Sequence, residues 1–362
     1  MDSYRKHFVT RANRRAAALA ICLLAAAGLA QAQAKVPVVI AVGAQVLDVS
    51  QANNTSIPIF TKCWENAGLD VTIQPTNSTA AMQAVLSGKA DFVNMGPAAG
   101  FLARAKGAPL TAVYLNMRKQ FAFPVVLDSS PIKSIKDFKG KTMGVASYGA
   151  QMVEIFKGQM LEAGLDPKSD VTIVETGVGA QAVAALQSGR VDVWGTWDSQ
   201  IATAEAMGIK LRRFTSPFAE KLSMGGSYFV RDDYIAKNPQ VIEKVLNCVA
   251  QGSAFVLANP DAAVKVHWRV YPNTKPSGVD EATAFRQARH ILGTRAEFLK
   301  LEPGVTWGEI PRSAVVNMLD FMKQTGSLTV DLKPEDTYTN RFVPAYSKFD
   351  PAQVAAQANA VR

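Results

Sequence analysis

The sequence predicts an α/β protein of two lobes, each an open, largely parallel sheet flanked by helices, with a ligand cleft between them. Three observations carry this. At 362 residues, 48% hydrophobic and 19% charged, with 25 Gly and 18 Pro, the chain is too apolar for disorder and long enough for about two domains. One strand-helix-strand pattern occurs twice, as AGLDVTIQPTNSTAAMQAVLSGKADFV from Ala67 and as AGLDPKSDVTIVETGVGAQAVAALQSGRVDVW from Ala163. A helix that buries one face between two strands implies a right-handed crossover and parallel neighbours, so two copies imply two sheets.

The first 34 residues read as an address. Arg5, Lys6, Arg11, Arg14 and Arg15 stand against Asp2, and an apolar run fills residues 16–30. That run falls short of the roughly 20 residues that span a bilayer. A secretory signal peptide fits, cleaved after Ala34 at an A-x-A site. An acyl anchor at Cys22 fits less well, because Cys22 lies inside the run behind Ile21. Removing five cations and one anion turns the formal +9 into +5. With no Lys/Arg block and no aromatic-basic interleaving, nucleic-acid binding has no support. No later stretch of 18 apolar residues follows, so the mature chain is expected to be a soluble periplasmic monomer.

Strands of the first lobe are expected at 38–42, 71–73, 92–95 and 110–116, where β-branched and aromatic residues cluster. Gly68 and Gly164 follow helical runs at the position that favours a left-handed residue. Ser78 is the expected N-cap of a helix over 79–86, and Gly88 and Gly189 stop the two repeat helices. Strands of the second lobe fall at 125–127, 142–146, 171–174, 191–197 and 209–214. After 228–231 the pattern turns helical at 239–257, 260–271, 279–301 and 312–324, punctuated by Pro260, Pro272 and Pro311. The tail from Leu332 is expected to wrap the surface, with 352–362 loose.

Catalytic constellations are missing from the sequence: no G-x-S-x-G, H-E-x-x-H or P-loop pattern occurs. His7 falls in the leader, leaving His267 and His290, too few for a multi-His metal site. Neither metal nor cofactor is expected. Cys63 and Cys248 could form one disulfide in an oxidising compartment, but two small buried apolar residues are slightly favoured.

The stretch Gly177-Val178-Gly179-Ala180-Gln181-Ala182 fits G-x-G-x-x-A, the dinucleotide pattern. An exported chain has no supply of NAD, and the first repeat lacks those glycines. The stretch therefore reads as a loosened helix start, whose free N–H groups suit a carboxylate, sulfonate or phosphate. In open α/β sheets the ligand crevice lies at the carboxyl ends of the strands. Binding candidates are accordingly Gln45, Asn53, Gly96, Pro97, Asn116, Ser147, Tyr148, Gln151, Thr176, Gly177, Gln181, Trp197 and Asp198. Of Trp194 and Trp197, three apart on one strand, only one can face the cleft, and Trp197 is nearer the strand end. Asp198 could pair with a ligand ammonium or cap a helix over 199–207.

The succession A-G-L-D…S-G-K-A-D-F, A-K-G-A-P-L-T-A-V at 105–113, I-K-S-I-K-D-F-K-G-K-T-M-G-V at 132–145 and A-L-Q-S-G-R-V-D-V-W-G-T-W-D at 185–198 resembles periplasmic solute-binding proteins of ABC importers. The group is that of the sulfonate, taurine, nitrate and thiamine-precursor binders, and the likeness covers about residues 36–235. It implies the type II periplasmic-binding-protein architecture, with chain crossings near 120–124 and 225–229. After the leader 1–34, it implies lobe 1 over 35–122, lobe 2 over 123–227, a return to lobe 1 over 228–331 and a tail over 332–362. Loops at Gly96, Ser147 and Trp197 inherit a binding role from the same resemblance. Partners implied are a membrane permease and its ATPase, and the ligand a small molecule, an anion first and a neutral or zwitterionic heterocycle second. Pyrimidine-making enzymes on this fold rely on clustered Cys and a His donor, and this chain has no such cluster, so no enzyme is expected. An exported enzyme or a signalling module on the same scaffold are the other classes.

Overall fold

The computed structural model describes residues 34–362, so the expected leader lies outside the described residues except for Ala34. Strands β1 (Val36–Val42), β2 (Leu69–Pro75), β3 (Phe92–Met95) and β4 (Leu110–Met117) belong to one sheet. Strands β5 (Ala122–Leu127), β6 (Lys141–Val145), β7 (Val171–Glu175), β8 (Val193–Trp197) and β9 (Leu211–Arg213) make a second, and β10 (Gly226–Arg231) returns to the first. The orders are β2-β1-β3-β10-β4 and β7-β6-β8-β5-β9.

Each sheet is mixed rather than simply parallel. In the first, β1 runs parallel to β3, while β10 is antiparallel to both β3 and β4. In the second, β6 is parallel to β7 and β8, while β5 is antiparallel to β8 and β9. The reversed strands are the two reached by crossing from the other sheet. A chain that leaves one sheet at its carboxyl edge enters the next at that sheet's carboxyl edge, so its first strand must run backwards.

Helices of two turns or more are labelled in chain order. The repeat gives α1 (Ser78–Leu86), followed by α2 (Pro97–Ala105), α3 (Gln151–Glu162), α4 (Ala180–Gln187) and α5 (Asp198–Ala206). Each of the five connects strands within one sheet and starts near the carboxyl edge of the strand before it. Gly68 and Gly164 adopt φ of 79° and 82°, the left-handed region in which a side chain would be strained. The cap of α1 is Asn77, whose side chain accepts from Ala80 N at 2.9 Å, so the helix starts one residue earlier than expected. Trp194 is 1% exposed and packs with Val125 and Leu186, whereas Trp197 is only partly buried.

The returning half supplies α6 (Pro239–Ala258), α7 (Pro260–Val270), α8 (Glu281–Leu299) and α9 (Arg312–Gln324), close to the expected bounds. Helix α6 is long and apolar enough to cross a membrane by length and composition, yet Val245, Leu246, Val249, Phe255 and Val256 are core residues. Its Gly252 lets the 3-10 helix Val49–Asn54 lie directly against it, since a Cβ there would overlap the Asn53 carbonyl.

Two expectations need correction. The tail is no loose wrap: Ala112 N donates to Thr337 O, and Tyr346 is fully buried with its hydroxyl donating to Val113 O at 2.8 Å. It ends in α10 (Pro351–Asn359), which buries Val354 and Ala358 against α6 and α7, where Phe255, Val256, Ala262 and Val266 leave an apolar surface that the local sequence of the tail cannot reveal. Cys63 and Cys248 are a disulfide, Cα–Cα 5.7 Å, rather than two separate thiols. Both face the same core layer, one from the short helix Cys63–Asn66 and one from α6.

Candidate functional site

The carboxyl edges of the two sheets meet around a cavity of about 80 Å³. Its walls come from helix starts and strand ends of both lobes. From the first lobe come Ser50, Gln51, Asn53 and Asn54 on the 3-10 helix, Asn94 and Met95 ending β3, Gly96 before α2, and Asn116 and Met117 ending β4. The second contributes Gln151 and Met152 opening α3 and Trp197 ending β8. Phe121 on the first crossing and Arg295 on α8 complete it.

Local sequence explains the 3-10 helix. Asp48 Oδ1 accepts from Ser50 N at 2.8 Å, capping a run of short polar residues too poor in apolar spacing for a longer helix. Asn53 is held by two bonds, from its Nδ2 to Asn116 Oδ1 at 3.3 Å and to Ser253 Oγ at 3.0 Å. Gln151 Nε2 donates to Met224 O at 3.2 Å, reaching from the second lobe to the segment between the sheets. The starts of α2 and α3 carry no side-chain cap, and both open on the cavity through Gly96 and Ala150.

The polar lining is not satisfied from within. Ser50 Oγ, Gln51 Oε1, Asn54 Oδ1, Asn94 Nδ2 and Gln151 Oε1 are buried, lie on residues lining the cavity and have no hydrogen-bond partner. Buried polar atoms left alone cost about 1–3 kcal/mol each, so five around one cavity mark a place built for a polar guest. Beneath them the Tyr228 hydroxyl sits beside Asn54 and Asn94, and burial pushes it up to about 12, so it remains a neutral hydroxyl.

Charge at the site is internally balanced. Arg295 grips Asp198 with both Nε, at 2.7 Å, and Nη2, and both side chains are buried. Burial alone would lower the guanidinium pKa, but the Asp198 carboxylate holds it above its ordinary value. The Arg295 guanidinium also lies 5.2 Å from the Phe121 ring centre. Across the cleft, Trp197 Nε1 donates to Ser199 Oγ at 3.1 Å, and Ser199 Oγ donates to Asp48 Oδ2 at 3.3 Å.

Of the residues singled out from the sequence, the structure gathers Asn53, Gly96, Asn116, Gln151 and Trp197 at this cavity. Gln45 and Ser147 line a smaller void of about 20 Å³ at its edge, shared with Ser78, Ala150 and Trp197. The others stand elsewhere. Pro97 is taken up as the first residue of α2, buried behind Gly96. Tyr148 points out, 61% exposed, and its N–H donates to Glu175. The Thr176 hydroxyl is spent on Val145 O, and the Gly177–Gly179 turn is closed by Gln200, whose Oε1 accepts from Gly179 N at 2.9 Å. Gln181 folds back against Gly177. Asp198 neither awaits an ammonium nor caps its helix: it is the first residue of α5, with Trp197 as cap, and is taken by Arg295.

Sequence reasoning missed Ser50, Gln51, Asn54, Asn94 and Arg295. The run S-Q-A-N-N-T-S from Ser50 was a usable signal, because so many amides in one strand-to-helix loop exceed what a turn needs. Arg295 gave none, being one cation among several on a helix far along the chain.

Comparison with known proteins agrees with this architecture. Residues 64–263 match the family described as NMT1/THI5 like. The riboflavin-binding protein RibY of Chloroflexus aurantiacus is 26% identical over 255 residues, 68% of this chain and 68% of that protein. The 4-amino-5-hydroxymethyl-2-methylpyrimidine phosphate synthase THI13 of Saccharomyces cerevisiae is 29% identical over 240 residues, 61% of this chain and 67% of the other. Among solved structures, the alkanesulfonate-binding protein SsuA of Xanthomonas axonopodis pv. citri, bound to MOPS, superposes with a TM-score of 0.65 at 16% identity, covering 85% of this chain and 100% of its own. That likeness shows the fold: this is the two-lobed periplasmic-binding-protein architecture.

Proposed function

We propose, since the chain belongs to the NMT1/THI5-like family and has the binding-protein fold, that it is the solute receptor of an ABC importer. It closes two lobes, residues 35–122 with 228–331 and the tail 332–362, and residues 123–227, over a small molecule and presents it to a membrane permease with its ATPase. Five orphaned buried polar atoms converging on one cavity carry this reading. A guest that hydrogen-bonds them in the closed state is bound by the difference between the two states. Export to the periplasm through a cleaved leader of 34 residues fits the Cys63–Cys248 disulfide, which persists in an oxidising compartment.

The ligand class follows from the lining. Arg295, the cation at the cavity, is already answered by Asp198, and three of the orphaned atoms are amide oxygens that want N–H or O–H donors. Uncapped starts of α2 and α3 offer N–H groups to a ligand oxygen. The ligand is therefore an uncharged or zwitterionic molecule with donors and acceptors, its flat part against Trp197 and the sulfur-bearing Met95, Met117 and Met152. A free carboxylate or sulfonate is the second reading, favoured by the same helix starts.

Against catalysis stands the placement of the reactive groups. Cys63 and Cys248 are joined to each other, His267 is fully buried against Ser56, and His290 lies on the surface beside Glu205. No thiol or imidazole among the described residues lines the cavity.

Thermal unfolding of the chain from Lys35 to Arg362, stripped by unfolding and refolding, tests the reading. The panel is about one hundred small acids, sulfonates, amino acids and heterocycles, with each acid paired to its amide. A millimolar solute with micromolar Kd adds about 4 kcal/mol, several degrees in midpoint. Amides and zwitterions outranking acids support the first class, and the reverse supports the second. A flat panel, or turnover of a hit, overturns the receptor. In Trp197→Ala the hit should bind at least tenfold more weakly at an unchanged ligand-free midpoint.

A further inference from the structure

We propose a second small-molecule site behind the hinge, in a cavity that takes a carboxylate carrying an apolar body. Two crossings, residues 118–121 and 221–225, join the lobes and bond to each other through Gln120 N to Leu222 O at 3.1 Å and Gly225 N to Met117 O at 2.8 Å. Their side chains divide between two voids. Met117 and Phe121 face the ligand cavity. Arg118, Lys119, Phe123 and Leu222 line a rear cavity of about 630 Å³, joined by Phe298 near the end of α8 and Val305 beyond it. Helix α8 divides in the same way, with Arg295 forward and Phe298 behind. A void of that size lies in the ordinary range of ligand pockets.

Its charge specifies the occupant. Arg118 is partly buried and donates to the Glu309 carbonyl at 2.9 Å, and among the described residues no carboxylate lies within ion-pair distance of it. Burial lowers its pKa, with the Glu309 and Glu302 carboxylates pulling the other way from beyond ion-pair distance. Lys119 adds a second cation at the mouth. Of the acids there, Glu297 is tied to Lys300 at 2.7 Å, Glu220 and Glu302 are exposed, and Glu302 acts on Arg118 without forming an ion pair with it. A carboxylate gives Arg118 a bidentate partner, while an alkyl or aryl body covers Leu222, Phe298 and Val305. Both crossings wall this void, so lobe closure reshapes it. Its occupant and the cleft ligand must then alter each other's affinity by equal factors. The inference does not depend on what the cleft binds.

Calorimetric titration of 4-phenylbutyrate and its neutral amide, 4-phenylbutyramide, into the chain from Lys35 to Arg362 tests it. The acid is expected to bind wild type and Trp197→Ala with the same Kd. Arg118→Gln should weaken it at least tenfold, and Val305→Trp, whose indole takes the space beside Phe298 that the apolar body would use, should also weaken it at least tenfold. The amide should bind wild type at least tenfold more weakly than the acid and be indifferent to Arg118→Gln. No heat with wild type, undiminished binding in both Arg118→Gln and Val305→Trp, or loss in Trp197→Ala alone would overturn the site, the last by placing the acid in the cleft.

Discussion

Single residues here are decided by whether their polar atoms find partners. His267 shows the cost of burial without charge. Its Nδ1 meets Ser56 Oγ at 3.0 Å, its Nε2 has no partner, and desolvation lowers its pKa to about 4. Between pH 6.5 and 4 the unfolded imidazole binds a proton that the folded one refuses, so stability falls as the pH drops through that window. The loss approaches about 3 kcal/mol. Urea unfolding from pH 7 to 4 should show this slope, and His267→Gln should flatten it; an equal slope in the variant would assign the effect to other groups. From sequence, His267 was a spare imidazole, because burial is a property of what packs around a helix and not of the helix.

Elements position the site through close approaches. The starts of α2 and α3 meet where Gly96 faces Gln151, and a Cβ at Gly96 would overlap the Gln151 side chain. Gly96 has φ −62° and ψ 136°, open to any residue, so Gly96→Ala introduces a clash without backbone strain. Ligand affinity should drop at least tenfold and the ligand-free midpoint should fall by several degrees, because the new Cβ meets Gln151 Cβ as well as its amide; an unchanged affinity and midpoint would mean that the starts of α2 and α3 move apart freely. The disulfide is the other inter-element tie, closing 185 residues of chain between the short helix Cys63–Asn66 and α6. Cys63→Ser with Cys248→Ser should cost about 2–4 kcal/mol in urea unfolding, and a variant as stable as wild type would show the core layer suffices alone. The helix bounds read from the sequence, at 79–86, 199–207 and the four of the returning half, fall within about two residues of those observed, since Pro and Gly punctuation is local. The cysteine pairing was not, because it joins residues from opposite ends of the lobe.

At the scale of the molecule, the buried Asp198–Arg295 pair ties α5 of the second sheet to α8 of the returning half. Removing one partner leaves a buried charge alone. Arg295→Met should therefore cost about 3–5 kcal/mol, and adding Asp198→Asn should recover most of it. Additive losses in the double variant would show that the two do not act as a pair. The pair also neutralises the one cation at the cavity, which moves the ligand reading from anion toward a neutral or zwitterionic molecule.

By itself, the sequence determined the two-sheet α/β class, the helical return and the family likeness, because strand, helix and turn signals repeat locally and the duplicated unit doubles them. It also placed the cleft at the strand ends, and with it Asn53, Gly96, Asn116, Gln151 and Trp197. Only the tertiary structure decided which loop residues face inward, that Tyr148 and Gln181 do not, that the tail completes the first lobe and that Arg295 answers Asp198. Those are contacts between segments tens to hundreds of residues apart, and their energies depend on burial and on partners that no local pattern encodes.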